Sequence, residues 1–131
     1  MLEDGIAKLV QSNPAVAAIA TMGGFVGQLP ENFTLPSWTQ RSAGDYSEYG
    51  LQGERGLNRR RLQIDCYGSP AEAVSLAEAI DAVLSGYKGT LPDDDSTLVY
   101  GCFQSDVMDF FDSGARTLRR MLEYRIWFFR A

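Results

Sequence analysis

The chain has 131 residues, the usual size of one domain, and its 45 % hydrophobic and 22 % charged residues argue against a disordered tail, a fibre or a membrane span. It contains no histidine, which removes His-based acid–base catalysis, Ser–His and Cys–His nucleophile pairs, and nearly all zinc and iron sites. The net charge of −5 argues against general nucleic-acid binding, which needs a basic excess.

The first third of the chain predicts two helices and two strands. An amphipathic helix is indicated by apolar residues at helical spacing: Leu2, Ile6, Leu9 and Val10. Asn13 and Pro14 end it and begin a second short helix over residues 15–20. Residues 25–29 predict a short strand between a glycine pair and Pro30, and residues 35–42 predict a second strand because large and polar residues alternate there.

Residues 43–58 predict a long mobile loop, because they contain four glycines and show no helical or strand period. These glycines lack the strand–glycine–helix context of a nucleotide-binding fingerprint. The segment nevertheless carries Tyr46, Tyr49, Leu51 and Arg55, residue types that gain most from burial at a contact. We therefore expect this segment to become ordered against a partner.

The middle of the chain predicts a strand followed by a helix. Residues 59–67 alternate, with Leu62, Ile64 and Cys66 on one face. Ser69 and Glu72 form a capping box that begins a helix over residues 69–85, with Gly86 just past its end. The buried face of this helix is predicted to contain Ala73, Ala77, Ile80 and Leu84.

The last third predicts strands over residues 97–104 and 118–129, with residues 106–114 as either a short strand or an irregular link. In the final strand, one face holds Leu122, Tyr124, Ile126 and Phe128. The expected fold is therefore a single α+β domain over residues 1–131. It has a mainly antiparallel sheet of four to five strands with helices packed on one face.

Residues that could support chemistry have simpler structural interpretations. Cys66 and Cys102 lie in apolar runs and predict buried thiols in a reducing compartment. The aspartates at 93–95, 106, 109 and 112 do not match the spacing of a calcium loop and favour solvated turns. We therefore expect no catalytic residue, no cofactor and no metal site.

Ten of the 12 basic residues are arginines, which favour fixed ion pairs at contact surfaces. One set is Arg59, Arg60 and Arg61, and a looser set is Arg116, Arg119, Arg120 and Arg125. Two interpretations stay open: the arginines protect a strand edge from aggregation, or they face acidic residues of a neighbouring copy.

The chain begins with acidic residues where a signal peptide would be basic, and its longest apolar run, residues 15–20, is too short to span a membrane. The expected location is therefore the cytoplasm of the producing cell, with no membrane partner.

Several segments together resemble a known family. They are the N-terminal helix pair, the stretch from Leu29-Pro30 to Leu35-Pro36, residues 51–58 running into residues 61–67, the alanine-rich helix at 71–85, and the closing residues 124–128. Over nearly its whole length the chain resembles the tail completion (tail terminator) proteins of long-tailed bacteriophages and prophages.

This resemblance implies a structural protein and not an enzyme. Family members form a hexameric ring at the head-proximal end of the tail tube, which ends tube growth and presents a surface to head-completion proteins. The implied partners are further copies of the chain, the major tail tube protein and a head-completion or connector protein, with DNA only passing through the lumen. The implied location is the virion tail, assembled in the cytoplasm of the host bacterium.

The residues expected at these contacts are Tyr46, Tyr49, Leu51, Arg55, Arg59, Arg60, Arg61, Arg119 and Arg120. Two alternatives stay open. One is a neighbouring head–tail connector or minor tail subunit. The other, from a different class, is a small cytoplasmic enzyme or ligand-binding domain that uses carboxylates and arginine.

Overall fold

The computed structural model describes residues 2–20, 24–26, 35–50, 53–92 and 94–130, with side chains at 5–20, 35–42, 58–92 and 97–129. Within these ranges the elements follow the chain in this order: α1 (Leu2–Gln11), α2 (Pro14–Ile19), β1 (Gly24–Val26), β2 (Ser37–Gly50), β3 (Gly53–Gly68), α3 (Pro70–Leu84), β4 (Gly89–Leu91), β5 (Asp94–Asp112) and β6 (Thr117–Arg130).

The strands form one sheet in the order β1-β2-β3-β6-β5-β4. Two long hairpins, β2–β3 and β5–β6, are joined through the antiparallel pairing of β3 with β6. Among the described strands only the three-residue β1 pairs in parallel, with β2. Helix α3 packs on β3 and β6. The prediction of an α+β domain with a mainly antiparallel sheet is confirmed.

The hydrophobic core lies between the helices and one face of the sheet, and it includes Ile6 and Val10 of α1 and Val16 of α2. Ile80 and Leu84 are completely buried on α3, and they meet the buried face of β3 and β6. On that face Leu62 lies opposite Tyr124 and Ile64 lies opposite Leu122. The alternation predicted for both strands is therefore confirmed. Each fully buried aliphatic side chain contributes about 1.5–3 kcal/mol to stability.

Helix α3 begins and ends at the residues that the capping signals in the sequence predict. Ser69 Oγ accepts a hydrogen bond from the Glu72 amide, and the Glu72 carboxylate accepts one from the Ser69 amide. Past the end of the helix, Gly86 has a φ of +78°, the left-handed conformation that glycine adopts without strain.

Replacing Ser69 by alanine is expected to lower the free energy of unfolding by about 1 kcal/mol, because the amide at the helix start loses its acceptor. Ser75→Ala is the matched control, since Ser75 is exposed on the same helix. Chemical denaturation of both variants measures the difference. Equal stability of the two variants would show that the cap contributes nothing.

The predicted loop at residues 43–58 is wrong as secondary structure. Strand β2 continues to Gly50 and β3 begins at Gly53, so most of this segment is a hairpin end in which Tyr46 lies opposite Arg59. The register shifts between Ser42 and Gly44 and again between Ser47 and Tyr49. Such bulges interrupt the two-residue alternation that identifies a strand in a sequence.

Residues 106–112, predicted as a short strand or a link, belong to one long strand. β5 runs without a break from Asp94 to Asp112, with register shifts around Tyr100 and Ser105 that hide its alternation. The turn into β6 is held by Asp112 Oδ1, which accepts hydrogen bonds from the amides of Gly114 and Ala115.

Candidate interaction surfaces

Most of the predicted contact residues lie on the two long hairpins. Tyr46, Tyr49 and Arg55 belong to the β2–β3 hairpin near its end, and only their backbone is described. Leu51 lies outside the described residues. The hairpin places Tyr46, Tyr49 and Arg55 next to the Arg59–Arg61 run, since Tyr46 and Arg59 are cross-strand partners.

The sheet face opposite the helices is called the outer face here and is defined by Arg61, Gln63 and Asp65 on β3. Arg61 forms an ion pair on this face. Its Nε lies 3.2 Å from Glu123 Oε1, and Ser105 Oγ donates to the same carboxylate oxygen. The Arg61 side chain is 54 % exposed, so this pair adds little to stability.

Arg119 has a more enclosed environment on the same face. Its Nε lies 3.6 Å from Asp65 Oδ1, and Asp65 is only 5 % exposed. Gln63 Nε2 donates to the other carboxylate oxygen of Asp65 at 3.1 Å. The guanidinium also lies over the Phe110 ring, 4.4 Å from its centroid. Arg119 therefore neutralises a buried carboxylate of its own sheet.

Arg120 lies on the helix side of β6 and binds Asp109 of β5 with two hydrogen bonds, of 2.8 and 2.9 Å. The hydrogen bond from Arg120 lowers the pKa of the Asp109 carboxyl, and the same bond raises the pKa of Arg120. Arg60 lies over the Phe128 ring, with its Cζ 5.4 Å from the centroid. Arg61, Arg119 and Arg120 thus all have an acidic partner within the chain.

Three of the aspartates considered above, Asp106, Asp109 and Asp112, are engaged by their own hairpin, whereas the side chains at 93–95 lie outside the described ones. Asp106 Oδ1 accepts the Val107 amide, Asp109 binds Arg120 and Asp112 caps the turn. In the described ranges no group of three or more acidic or cysteine side chains is arranged to hold a metal ion. Nor does any helix in these ranges have the length and apolar run that a membrane crossing requires.

Both cysteines are free and buried. Burial, assisted by the nearby Asp65, raises the pKa of the Cys66 thiol. Burial, with Asp81 as the second cause, raises the pKa of Cys102 to about 12. Burial also raises the pKa of Tyr124, whose hydroxyl donates to Asp81 Oδ1 at 2.7 Å. The two thiols are therefore protonated at neutral pH, and a thiol must be deprotonated to act as a nucleophile.

Sequence reasoning missed an exposed apolar surface on β5. Its large, exposed side chains are Leu98, Tyr100, Phe103, Val107, Met108, Phe110 and Phe111. Tyr100 and Phe111 are the most open of these, at 58 % and 57 % exposure. The many apolar residues between 103 and 111 were a signal of this surface in the sequence. The two bulges of β5 shift the alternation of these residues, so the pattern did not identify them as part of one strand.

Part of this surface continues onto β6 through aromatic contacts. Tyr100 meets Phe129 edge-to-face with 5.0 Å between ring centroids, and Phe103 meets Trp127 in the same way at 5.6 Å. A Cβ on Gly101 would lie 2.7 Å from the Phe103 ring, so glycine leaves the space that this ring fills. These four rings form an ordered aromatic patch on the β5–β6 hairpin, and Tyr100 and Phe103 within it remain open to solvent.

Comparison with known proteins identifies the family. The family model described as "Tail completion protein gp17" matches residues 4–128. The chain belongs to this tail completion family. Among solved structures, a chain of the "Virion of native gene transfer agent (GTA) particle" is similar, with a TM-score of 0.72 and 14 % identity over 98 % of this chain and 94 % of that one. No curated protein matches this sequence significantly.

Membership confirms the resemblance seen in the sequence and gives the chain a structural role in phage tails. The likeness to the gene transfer agent chain shows a shared fold at low sequence identity. For a tail completion protein, an open apolar surface on an ordered hairpin is a candidate assembly surface, because such surfaces mark sites of protein contact.

Proposed function

We propose that this chain caps the head-proximal end of the tail tube as a ring, ends tube growth and joins the tail to the head. The family match over residues 4–128 is the observation that carries this proposal. The similar solved chain is part of a virion, which supports a place in a virion for this chain too.

The ring is proposed to consist of six copies of the chain, assembled in the host bacterial cytoplasm. Its other partners are the major tail tube protein and a head-completion or connector protein. DNA passes through the lumen, and the net charge of −5 suits passage because it disfavours tight binding to phosphates. The apolar surface of β5 supports assembly, since burial of such a surface favours association.

The end of the β2–β3 hairpin is proposed as a contact with the tube, the head-completion ring or an adjacent copy. Residues 48–50 and 53–55 of this hairpin lie beyond the last pairing of β3 with β6, at Leu57 and Phe129. The fold therefore depends little on them. Tyr49 and Arg55 within this stretch are residue types enriched at contacts that dominate binding energy.

Removing residues 48–55 and joining Ser47 to Gly56 through an Asn-Gly turn is expected to leave thermal stability nearly unchanged and to abolish tail completion. Electron microscopy of lysates would show overlong tails or tails without heads. Ser75→Ala, on the exposed side of α3, is the control and should give normal virions. Normal virion yield from the shortened chain would contradict the proposed contact.

Deletion of the whole gene tests the function itself. Overlong tails are the result expected for a protein that ends tube growth. Tails of normal length that fail to join heads would instead identify a connector, the alternative role. Normal virions from the deletion strain would overturn the proposed function.

A further inference from the structure

The aromatic patch of the β5–β6 hairpin lies beside three arginines on the outer face of the sheet. Phe103 of the patch lies opposite Arg125, which in turn lies opposite Arg61 on β3. In the neighbouring row of this face, Trp127 lies opposite Arg59. Because directly opposed residues have Cβ atoms about 4.5–5.5 Å apart, rings and guanidinium groups lie side by side on one surface.

Both kinds of side chain on this surface are open to solvent. Tyr100 and Phe103 are each more than half exposed, and the three arginines are exposed as well. Within the described part of the chain, Arg125 has no acidic partner. The pair of Arg61 with Glu123 is exposed and weak, so another anion can compete for this guanidinium. The surface can therefore take up a ligand without a change in the fold.

The charge around the patch differs from the net charge of −5 of the whole chain. Helices α1 and α3, on the other side of the sheet, carry these acidic residues: Glu3, Asp4, Glu72, Glu78 and Asp81. Next to the patch, the described side chains of the outer face include the three arginines and two carboxylates, those of Glu123 and Asp106. A local excess of positive charge therefore borders the patch, and an anionic ligand is complementary to it.

Exposed rings next to arginines are suited to nucleotides. An arginine guanidinium binds a phosphate with two hydrogen bonds, and an aromatic ring stacks on the face of a base. Sheet surfaces with aromatic side chains bind single strands in this way. In a duplex the bases are stacked on one another and are not available to the rings, so a duplex would contact only the arginines.

We propose that the aromatic patch, together with Arg59, Arg61 and Arg125, binds single-stranded DNA. Bases stack on the rings of Tyr100 and Phe103, and the arginines bind the phosphates. The choice of DNA as the ligand rests on the proposed function, in which DNA passes through the lumen of the ring. Paired DNA passes because its bases cannot reach the patch, whereas an unpaired stretch is retained.

The exposed apolar side chains at the other end of β5 are separate from this site. They begin at Val107, beyond the row of Asp106 and Glu123, and extend to Phe111. They stay available for the protein contacts of a tail completion protein, so the two uses of β5 are compatible.

Binding is expected to depend strongly on salt. Three phosphate contacts on a single strand give a slope of about −2 for the logarithm of the affinity against the logarithm of the salt concentration. An increase from about 50 to about 200 mM salt should therefore weaken binding about 20-fold. Fluorescence anisotropy measures the slope with a labelled oligothymidylate of about 12 nucleotides, a length that one such surface can cover.

Arg125→Ala is expected to reduce the size of this slope by about 0.7, because one counterion fewer is released. Arg116→Ala is the matched control, since it removes the same charge just before the start of β6, away from the patch. An equal effect of the two substitutions on the slope would indicate a general charge effect and would overturn the site.

Tyr100→Ala is expected to weaken binding about 5- to 150-fold, the loss that corresponds to the stacking of one base on one ring. Phe111→Ala is the matched control, because Phe111 is about equally exposed on the same strand but lies on the helix side. Both variants should fold, since each removes a side chain that is more than half exposed. Equal binding by the two variants would overturn the role of the patch.

Trp127 provides a signal in the wild-type protein that does not depend on the folding of a variant. The chain has two tryptophans, and the other, Trp38, is completely buried in the core. Addition of the oligothymidylate should therefore quench the fluorescence of Trp127. Trp127→Phe should lose the quenching and still bind in the anisotropy assay. Binding to the wild type without quenching would place the DNA elsewhere on the chain and overturn the proposal.

The same assay distinguishes other ligands. A duplex of oligothymidylate with oligoadenylate should bind at least about tenfold more weakly, because it loses the stacking on the rings. Equal binding of the duplex would overturn the proposal. Tighter binding of an oligouridylate would assign the surface to RNA, and tighter binding of a pentaglutamate peptide would assign it to an acidic protein. Either result would overturn the choice of DNA.

These solution measurements are separate from the tail phenotype. A wild-type chain that does not bind the oligothymidylate, beside overlong tails in the deletion strain, would refute the DNA site and leave the tail role intact. Normal virions in the deletion strain would refute the tail role, whatever the chain binds in solution.

Discussion

Ile80→Asp is expected to prevent stable folding. Ile80 is completely buried on α3, where the carboxylate would have no water and no basic partner in the hydrophobic cluster. Burying an unpaired charge costs several kcal/mol, and a domain of this size has only about 5–15 kcal/mol of stability in total. Circular dichroism during thermal unfolding measures the loss.

Ala82→Asp is the matched control, because it places the same side chain on the exposed side of the same helix. Its expected cost is below about 1 kcal/mol, the difference in helix propensity between alanine and aspartate. Wild-type melting of Ile80→Asp would show that the core face assigned to α3 is wrong.

Arg119→Ala is expected to lower the free energy of unfolding by about 2–4 kcal/mol, because Asp65 would remain buried without its positive partner. The expected loss is smaller than the about 3–5 kcal/mol typical of a fully buried pair, since the Arg119 side chain is 38 % exposed and solvent screens its charge. Chemical denaturation of the variant measures the change.

Arg125→Ala provides the comparison, since Arg125 is an exposed arginine on the same strand and outer face. It should change stability by less than about 0.5 kcal/mol. Adding Asp65→Asn to Arg119→Ala should recover part of the loss, because the second change removes the unpaired charge. Unchanged stability of Arg119→Ala together with lost assembly would instead make Arg119 a residue of the subunit contact.

Elements with local signals were predictable from the sequence. The helix predicted over residues 69–85 is α3, Pro70–Leu84, because the capping box at its start and Gly86 past its end act within a few residues. The buried faces of β3 and β6 were also predictable, since both strands alternate without a bulge where they cross the core.

The two hairpin ends were not predictable, because their structure depends on pairing between distant residues. Bulges in β2 and β5 shift the alternation, so residues 43–58 resembled a loop and residues 106–114 had no definite pattern. Pairing with a neighbouring strand supplies the backbone hydrogen bonds that make these segments strands, whatever their local pattern.

The ion pairs of the candidate interaction surfaces were also only partly predictable from the sequence. The arginines were identified as charges suited to ion pairs, and that property is correct for Arg61, Arg119 and Arg120. The acidic partners of these arginines depend on strand register. The register places Asp109 opposite Arg120. It places Arg125 opposite Arg61, and Glu123 follows two residues away on the same face of β6. Composition contains no information about register, so the sequence left open whether these charges protect a strand edge or face a neighbouring copy.

The two long hairpins have their turns at opposite ends of the sheet. Gly50 and Gly53 mark the end of β2–β3, whereas Asp112 and Thr117 mark the end of β5–β6, beside the start of β2. In a ring in which every copy has the same orientation along the ring axis, all β2–β3 turns lie at one rim and all β5–β6 turns lie at the other. The two rims of the proposed ring then differ chemically although every copy is identical, so one chain would be able to attach to two different structures.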